Sequence, residues 1–157
     1  MSLPALTEYR LLPIGVHDFT LVEVEVLFGG FQRSERRRGL FAKLVEYMDE
    51  LKSAGWNARV MVDGSFVMPA VEEPEDIDVI LVLPEDWDMA SEIRPFEYNL
   101  IARKRTRRLY GFDVFAVRAR SPEEQAMIAF FQQVNVKWNE PLGLPAGLGK
   151  GIVRIAP

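Results

Sequence analysis

The sequence predicts an α+β protein, a small mixed β-sheet flanked by helices, on three observations. Short runs rich in β-branched residues, bounded by glycine, proline and acidic residues, stand at 58–62, 77–83 and 113–117. Between them, apolar residues recur at three- and four-residue spacing. Two Thr/Ser-x-x-Glu boxes mark helix starts.

Taken in order, Thr20-Leu-Val-Glu23 reads as a capping box opening a short helix that ends near Gly29-Gly30. Ser34 caps the next helix. Its apolar positions Leu40, Phe41, Leu44, Val45, Met48 and Leu51 form one stripe, ending near Gly55. Residues 58–62, ARVMV, are a strand leading into Gly64-Ser65, after which a short helical turn fits ahead of Pro69. After an acidic loop at 72–75, Ile77 to Leu83 is a largely buried strand closed by Pro84. A helix covers much of 95–109, with Pro95 in its first turn and Gly111 just past its end. Asp113 to Val117 is the third strand. Ser121-Pro-Glu-Glu124 is a second capping box, and 122–134 follows as a helix. Gly151 to Ile155 adds a short edge strand. The order is α-α-β-β-α-β-α. A length of 157 residues predicts one domain, with a core at 58–117, a helical segment at 20–54, and a C-terminal helix and tail.

Composition excludes several chemistries. There is no cysteine, so disulfides and thiolate metal sites are ruled out, and the single histidine, His17, argues against a zinc or Ser-His site. No apolar run reaches the roughly 18 residues that span a membrane. The start, MSLPALTEYRLLP, lacks the layout of a signal peptide. A cytoplasmic protein with no membrane partner is the expectation. Net charge is −4, yet nine of the 19 basic residues stand in two clusters, 33–38 and 103–108. Both read first as solvated helix faces. The second, with Arg103, Lys104, Arg105, Arg107 and Arg108, is the better candidate for meeting a polyanion.

The functional signal lies in "DGSFVMPAVEEPEDIDVILVLP", residues 63–84. Side chains alternate along a strand, so Asp76 and Asp78 point to one face, and Ile77, Val79 and Leu81 to the other. Two such carboxylates repel unless a cation sits between them, and Mg²⁺ takes oxygen ligands of this kind together with substrate phosphates. If the strand begun by Asp113 lies alongside, three carboxylates meet at one end of the sheet. At Gly64 a phosphate can approach backbone N–H groups closely, and Ser65 adds a hydroxyl.

Gly64-Ser65, ten intervening residues, then Asp76-Ile77-Asp78-Val79, with Asp113 on a later strand, resembles the signature of the DNA polymerase β-type nucleotidyltransferase superfamily. The match covers about 58–117. The wider layout, "LPIGVHDFT", "DGSFV…DIDV" and "GKGIVRI", is similar to small bacterial nucleotidyltransferase-fold proteins of unknown function. Asp63 departs from the superfamily's usual apolar residue before the glycine, and Pro69 shortens any helix after Ser65. The resemblance implies a nucleotidyltransferase fold and transfer of a nucleoside monophosphate from a triphosphate such as ATP to an acceptor hydroxyl. It implies Gly64 and Ser65 as nucleotide-binding residues, and Asp76, Asp78 and Asp113 as catalytic ligands of two Mg²⁺ ions. Stand-alone members of this size imply a protein partner, as in antitoxins that nucleotidylate a toxin, with RNA or a small molecule as other acceptors. Two non-enzymatic readings stand beside it: a binding module that neutralises or scaffolds a partner protein, and an RNA-binding accessory using the basic clusters.

Other motifs carry less. "GLGKG", 147–151, is not a P-loop, because Leu144 and Gly151 occupy positions needing Gly and Ser or Thr. Lys150 there reads as part of a flexible turn. His17 reads as a structural hydrogen-bonding residue near the Thr20 cap. Phe130, Phe131 and Trp138 read as core rather than a base-stacking platform.

Overall fold

Five strands, Val16–Phe19 (β1), Arg59–Asp63 (β2), Asp78–Leu83 (β3), Asp113–Arg118 (β4) and Ile152–Ile155 (β5), form one mixed sheet in the order β1-β5-β2-β3-β4. The computed structural model describes residues 4–29, 35–55, 58–75, 77–87 and 95–155. β1 is parallel to β5, and β3 is parallel to β4. β2 is antiparallel to both of its neighbours, β5 and β3.

The three predicted strands are all present. Two features differ from expectation. Val16–Phe19 is a strand that its short, polar sequence, VHDF, does not advertise. Ile152–Ile155 is not an edge strand, for it pairs with both β1 and β2, and Ile152, Val153 and Ile155 are buried. Its entry is tight. A Cβ at Gly151 would strike the Pro13 carbonyl oxygen and lie 2.8 Å from His17 Nε2, so only glycine lets the two segments approach. His17 itself sits on β1, its Nε2 hydrogen-bonded to the Pro13 carbonyl at 2.7 Å, a structural role as expected.

The helices follow their sequence signals closely. Thr20 caps Leu21–Val24 (α1) with a reciprocal box to Glu23, and one wider, π-helical turn continues to Gly29. Glu35–Ser53 (α2) carries the long apolar stripe; its expected cap, Ser34, lies outside the described residues. The helix predicted over 95–109 is two helices, Pro95–Ile101 (α3) and Arg103–Tyr110 (α4), because Ala102 leaves helical geometry with ψ 108°. A continuous helix would give the Leu100 carbonyl to the N–H four residues on. Instead the buried Tyr47 hydroxyl donates to it at 2.8 Å. Pro122–Phe131 (α5) starts at Ser121, whose Oγ accepts from Glu124 N–H at 3.1 Å, while Glu124 reaches back to Arg120 N–H rather than to Ser121. Asn139–Leu142 (α6) is a single turn.

The sheet is covered on both faces. On one, Val60, Val62, Val79, Leu81, Val114 and Val153 pack with Leu44, Tyr47 and Leu51 of α2, and with Leu100 and Tyr110. On the other, Met61, Ile80, Val82, Val117 and Ile152 meet Phe131 of α5, with Met127 and Ile128 alongside. Each such side chain contributes about 1.5–3 kcal/mol on full burial. A smaller cluster of Leu11, Met68, Val71, Val134 and Leu144 supports the loop after β2. No described helix is long and apolar enough to cross a membrane.

Candidate active site

The turn after β2 is built around one glycine. Gly64 has φ 89° and ψ −178°, a region essentially closed to other residues. The chain then enters a 3₁₀ turn, Ser65–Val67, matching the expected helical turn. Ser65 is buried, and its Oγ accepts from Glu75 N–H at 2.9 Å. The hydroxyl therefore ties the glycine turn to the segment that feeds β3.

Two arginines from α2 hold this loop. The expectation of a solvated cluster at 33–38 is wrong for Arg37, which is 0% exposed. Its Nη1 donates to the carbonyls of Phe28 at 3.1 Å and Phe66 at 2.6 Å, and its Nη2 to those of Met68 at 2.8 Å and Val71 at 2.5 Å. A buried loop has backbone carbonyls without ladder partners, and one guanidinium fork serves four of them. Burial lowers the Arg37 pKa to about 10, still well above neutrality, so the charge is retained. Arg36 donates to the Pro74 carbonyl and, at 3.2 Å, to that of Glu75. Arg33 lies outside the described residues.

Three aspartates stand in register across the central strands, Asp63 opposite Asp78 and Asp78 opposite Asp113. They share the sheet face of Met61, Ile80 and Phe115, and Asp78 faces away from Val79 and Leu81, as alternation requires. Asp76 lies outside the described residues. Neighbouring strands are about 4.8 Å apart, so a row of carboxylates repels itself unless cations intervene. Two do. Lys150 pairs with Asp63, both side chains at most 5% exposed, and also donates to the Phe131 carbonyl at 3.0 Å. Arg107 of α4 grips Asp113 through Nε and Nη2, and the carboxylate raises the arginine's pKa. Arg105 of the same cluster pairs with Glu50 at 2.9 Å, so the run at 103–108 is not simply a solvated face.

A cavity of about 320 Å³ opens beside this row. Asp63, Gly64, Ser65, Met68, Asp78 and Lys150 line it together with residues 130–131 and 133–138; Asp113 stands outside the lining. Lys150 is thus a buried site residue rather than part of a flexible turn. At Gly149 a Cβ would lie 2.8 Å from Cδ1 of Ile14, the tip of an exposed side chain that can shift, so the constraint there is weaker than at Gly151. Phe131 belongs to the core as predicted, but Phe130 is 64% exposed at the cavity rim, contrary to expectation. Lys137 pairs with Glu75 at 2.9 Å, linking this rim to the segment before β3.

The donors available are carboxylate oxygens, the kind Mg²⁺ takes. Among the described residues no group of three acidic or imidazole side chains is placed to hold a metal ion.

Sequence reasoning missed Arg37 and the Asp63–Lys150 pair. A signal for Arg37 was present, because it precedes Leu40, Phe41 and Leu44 by three, four and seven residues and so shares their stripe. No local signal joins Lys150 to Asp63 across 87 positions.

The chain belongs to a family described as a family of unknown function (DUF6932), whose model matches residues 4–156. No curated protein matches it, and no solved structure does.

Proposed function

We propose, since family membership supplies no reaction, that the protein is a minimal Mg²⁺-dependent nucleotidyltransferase with the polymerase β-type fold. One juxtaposition supports the reading. The Gly64-Ser65 turn leaves β2 at the same end of the sheet where Asp78 and Asp113 stand as register partners, and it opens onto a cavity that Asp78 also lines.

In this reading backbone N–H groups at Gly64 and Ser65 hold the terminal phosphates. Asp78 and Asp113, with Asp76, hold Mg²⁺. When bound, the ion supplies neutralisation of phosphate charge. The acceptor hydroxyl oxygen bonds to the α-phosphorus as the bond to the bridging oxygen breaks. Pyrophosphate leaves with that electron pair, and Asp113 takes the hydroxyl proton. Arg107 must then yield Asp113, and an ion pair whose arginine is 65% exposed is weakly held. The acceptor belongs to a partner protein, an RNA or a small molecule, with a toxin-like partner favoured by analogy of size alone.

The test is calorimetric titration of ATP, GTP, CTP and UTP, with and without Mg²⁺, into wild type and Asp76→Ala/Asp78→Ala. Saturable, Mg²⁺-dependent binding that the double variant loses is expected. A folded wild type that binds no nucleotide would overturn the reading. A second reading, a non-catalytic module that binds a partner protein, draws on a different observation: Lys150 and Arg107 already neutralise Asp63 and Asp113 without a metal. It expects the double variant to keep partner binding.

A further inference from the structure

Resting on that reading, we infer that the wall formed by Phe130, Val136 and Trp138 seats the nucleobase of the triphosphate. Two kinds of residue line the cavity. Asp63, Gly64, Ser65, Asp78 and Lys150 are polar or small, whereas the stretch 130–138 contributes Phe130, Phe131, Val134, Val136 and Trp138 beside Gln133, Asn135 and Lys137. The first group carries two carboxylates against one lysine, so on the proposed reading a phosphate enters there with its Mg²⁺, and an occupant with a flat apolar end beside that charged end fits both kinds of lining. The volume, about 320 Å³, lies at the small end of ligand sites, which run from about 300 to 1,000 Å³. That suits one mononucleotide and leaves no room for a folded peptide.

The wall itself is unusual for a surface. Phe130 is 64% and Val136 79% exposed, although both line a concavity where burial was available. Phe130 is held by a T-shaped contact to Phe131, with centroids 5.2 Å apart and planes at 78°, and Phe131 in turn packs against Phe115 at 5.6 Å. The ring is thus fixed in place by the core while most of it faces solvent, the arrangement a stacking platform needs. Gln133 and Asn135 line the same wall; the Asn135 Oδ1 accepts from Lys137 N–H at 3.0 Å, which leaves its NH₂ as a donor and the Gln133 amide as donor and acceptor for a base edge. Lys137 stands 5.3 Å over the Trp138 ring while pairing with Glu75, which joins the base wall to the segment entering β3.

The experiment compares ATP, GTP, CTP and UTP with inorganic tripolyphosphate, all with Mg²⁺, on wild type, Phe130→Ala, Phe130→Trp and Asp78→Asn. Wild type should bind at least one nucleotide about tenfold or more tighter than tripolyphosphate, the size of one base stack. Phe130→Ala should erase that difference without changing tripolyphosphate affinity, and Phe130→Trp should keep it. Equal affinity of wild type for all five ligands, or a Phe130→Ala variant that retains nucleotide preference, overturns the base wall alone. That holds provided Asp78→Asn still weakens tripolyphosphate, which leaves the phosphate site standing. Failure of every ligand to bind folded wild type overturns both.

Discussion

Replacing Arg37 with Met keeps a long side chain in the same space and removes every donor. The four carbonyls it serves, those of Phe28, Phe66, Met68 and Val71, are spaced along two segments that have no sheet partners there. A hydrogen bond to a charged group contributes about 1.5–3 kcal/mol, so the gross loss over four such bonds is large. Against it stands the cost of holding a guanidinium out of water, several kcal/mol, which the substitution relieves. The same desolvation is what lowers the Arg37 pKa. The difference leaves a net destabilisation of about 3 kcal/mol, a large part of the 5–15 kcal/mol typical of a whole domain. Urea denaturation followed by circular dichroism reads this as a shift in midpoint at unchanged slope. Arg37→Lys retains the charge but not the planar fork, and should fall between wild type and Arg37→Met. Because the loop it holds begins at Gly64-Ser65, Arg37→Lys should also weaken Mg²⁺-nucleotide binding where the protein is still fully folded. A stability of Arg37→Met within about 0.5 kcal/mol of wild type, a change typical of surface substitutions, would show that the carbonyls find other donors and that the clamp is not a clamp.

Two further outcomes follow from buried charges and protons. Lys150→Met should cost about 3–5 kcal/mol by leaving Asp63 buried without its cation, and Lys150→Met/Asp63→Leu should recover much of that loss; thermal unfolding of the three proteins measures it, and a double variant no better than the single would refute the account. Burial raises the Tyr47 pKa above its usual value, with Glu50 adding to the shift. The unfolded chain therefore loses this proton first, near pH 10, while the folded protein keeps it. Stability should fall as pH rises above about 10, by at most about 1.4 kcal/mol per pH unit from this group. Urea midpoints between pH 8 and 11 for wild type and Tyr47→Phe test the sign, since only the wild type should carry this component.

Much of the local structure was legible because its causes are local. The Thr20–Glu23 box, the Ser121 cap, the stripe on α2 and the alternation that sends Asp78 opposite Val79 all depend on residues within a few positions of one another. Register is less local, yet the aspartates at the starts of β3 and β4 were legible because both begin their strands. What could not be read was pairing at a distance. VHDF is a strand only because β5 lies beside it, and β5 is interior only because β1 and β2 flank it. The helix over 95–109 breaks where a tyrosine 53 positions earlier reaches the Leu100 carbonyl.

The sequence by itself determined most helix starts, the three central strands, the glycine turn and the placing of Asp78 and Asp113 at the starts of their strands, since propensity, capping and alternation act over short spans of chain. Only the tertiary structure decided the electrostatics of that site. Arg107 lies against Asp113, and Lys150 against Asp63. Arg37 is spent on backbone carbonyls rather than offered to a ligand, and Phe130 is held out over a cavity. Charge partners and burial are properties of space, and the chain sets them only once it has closed.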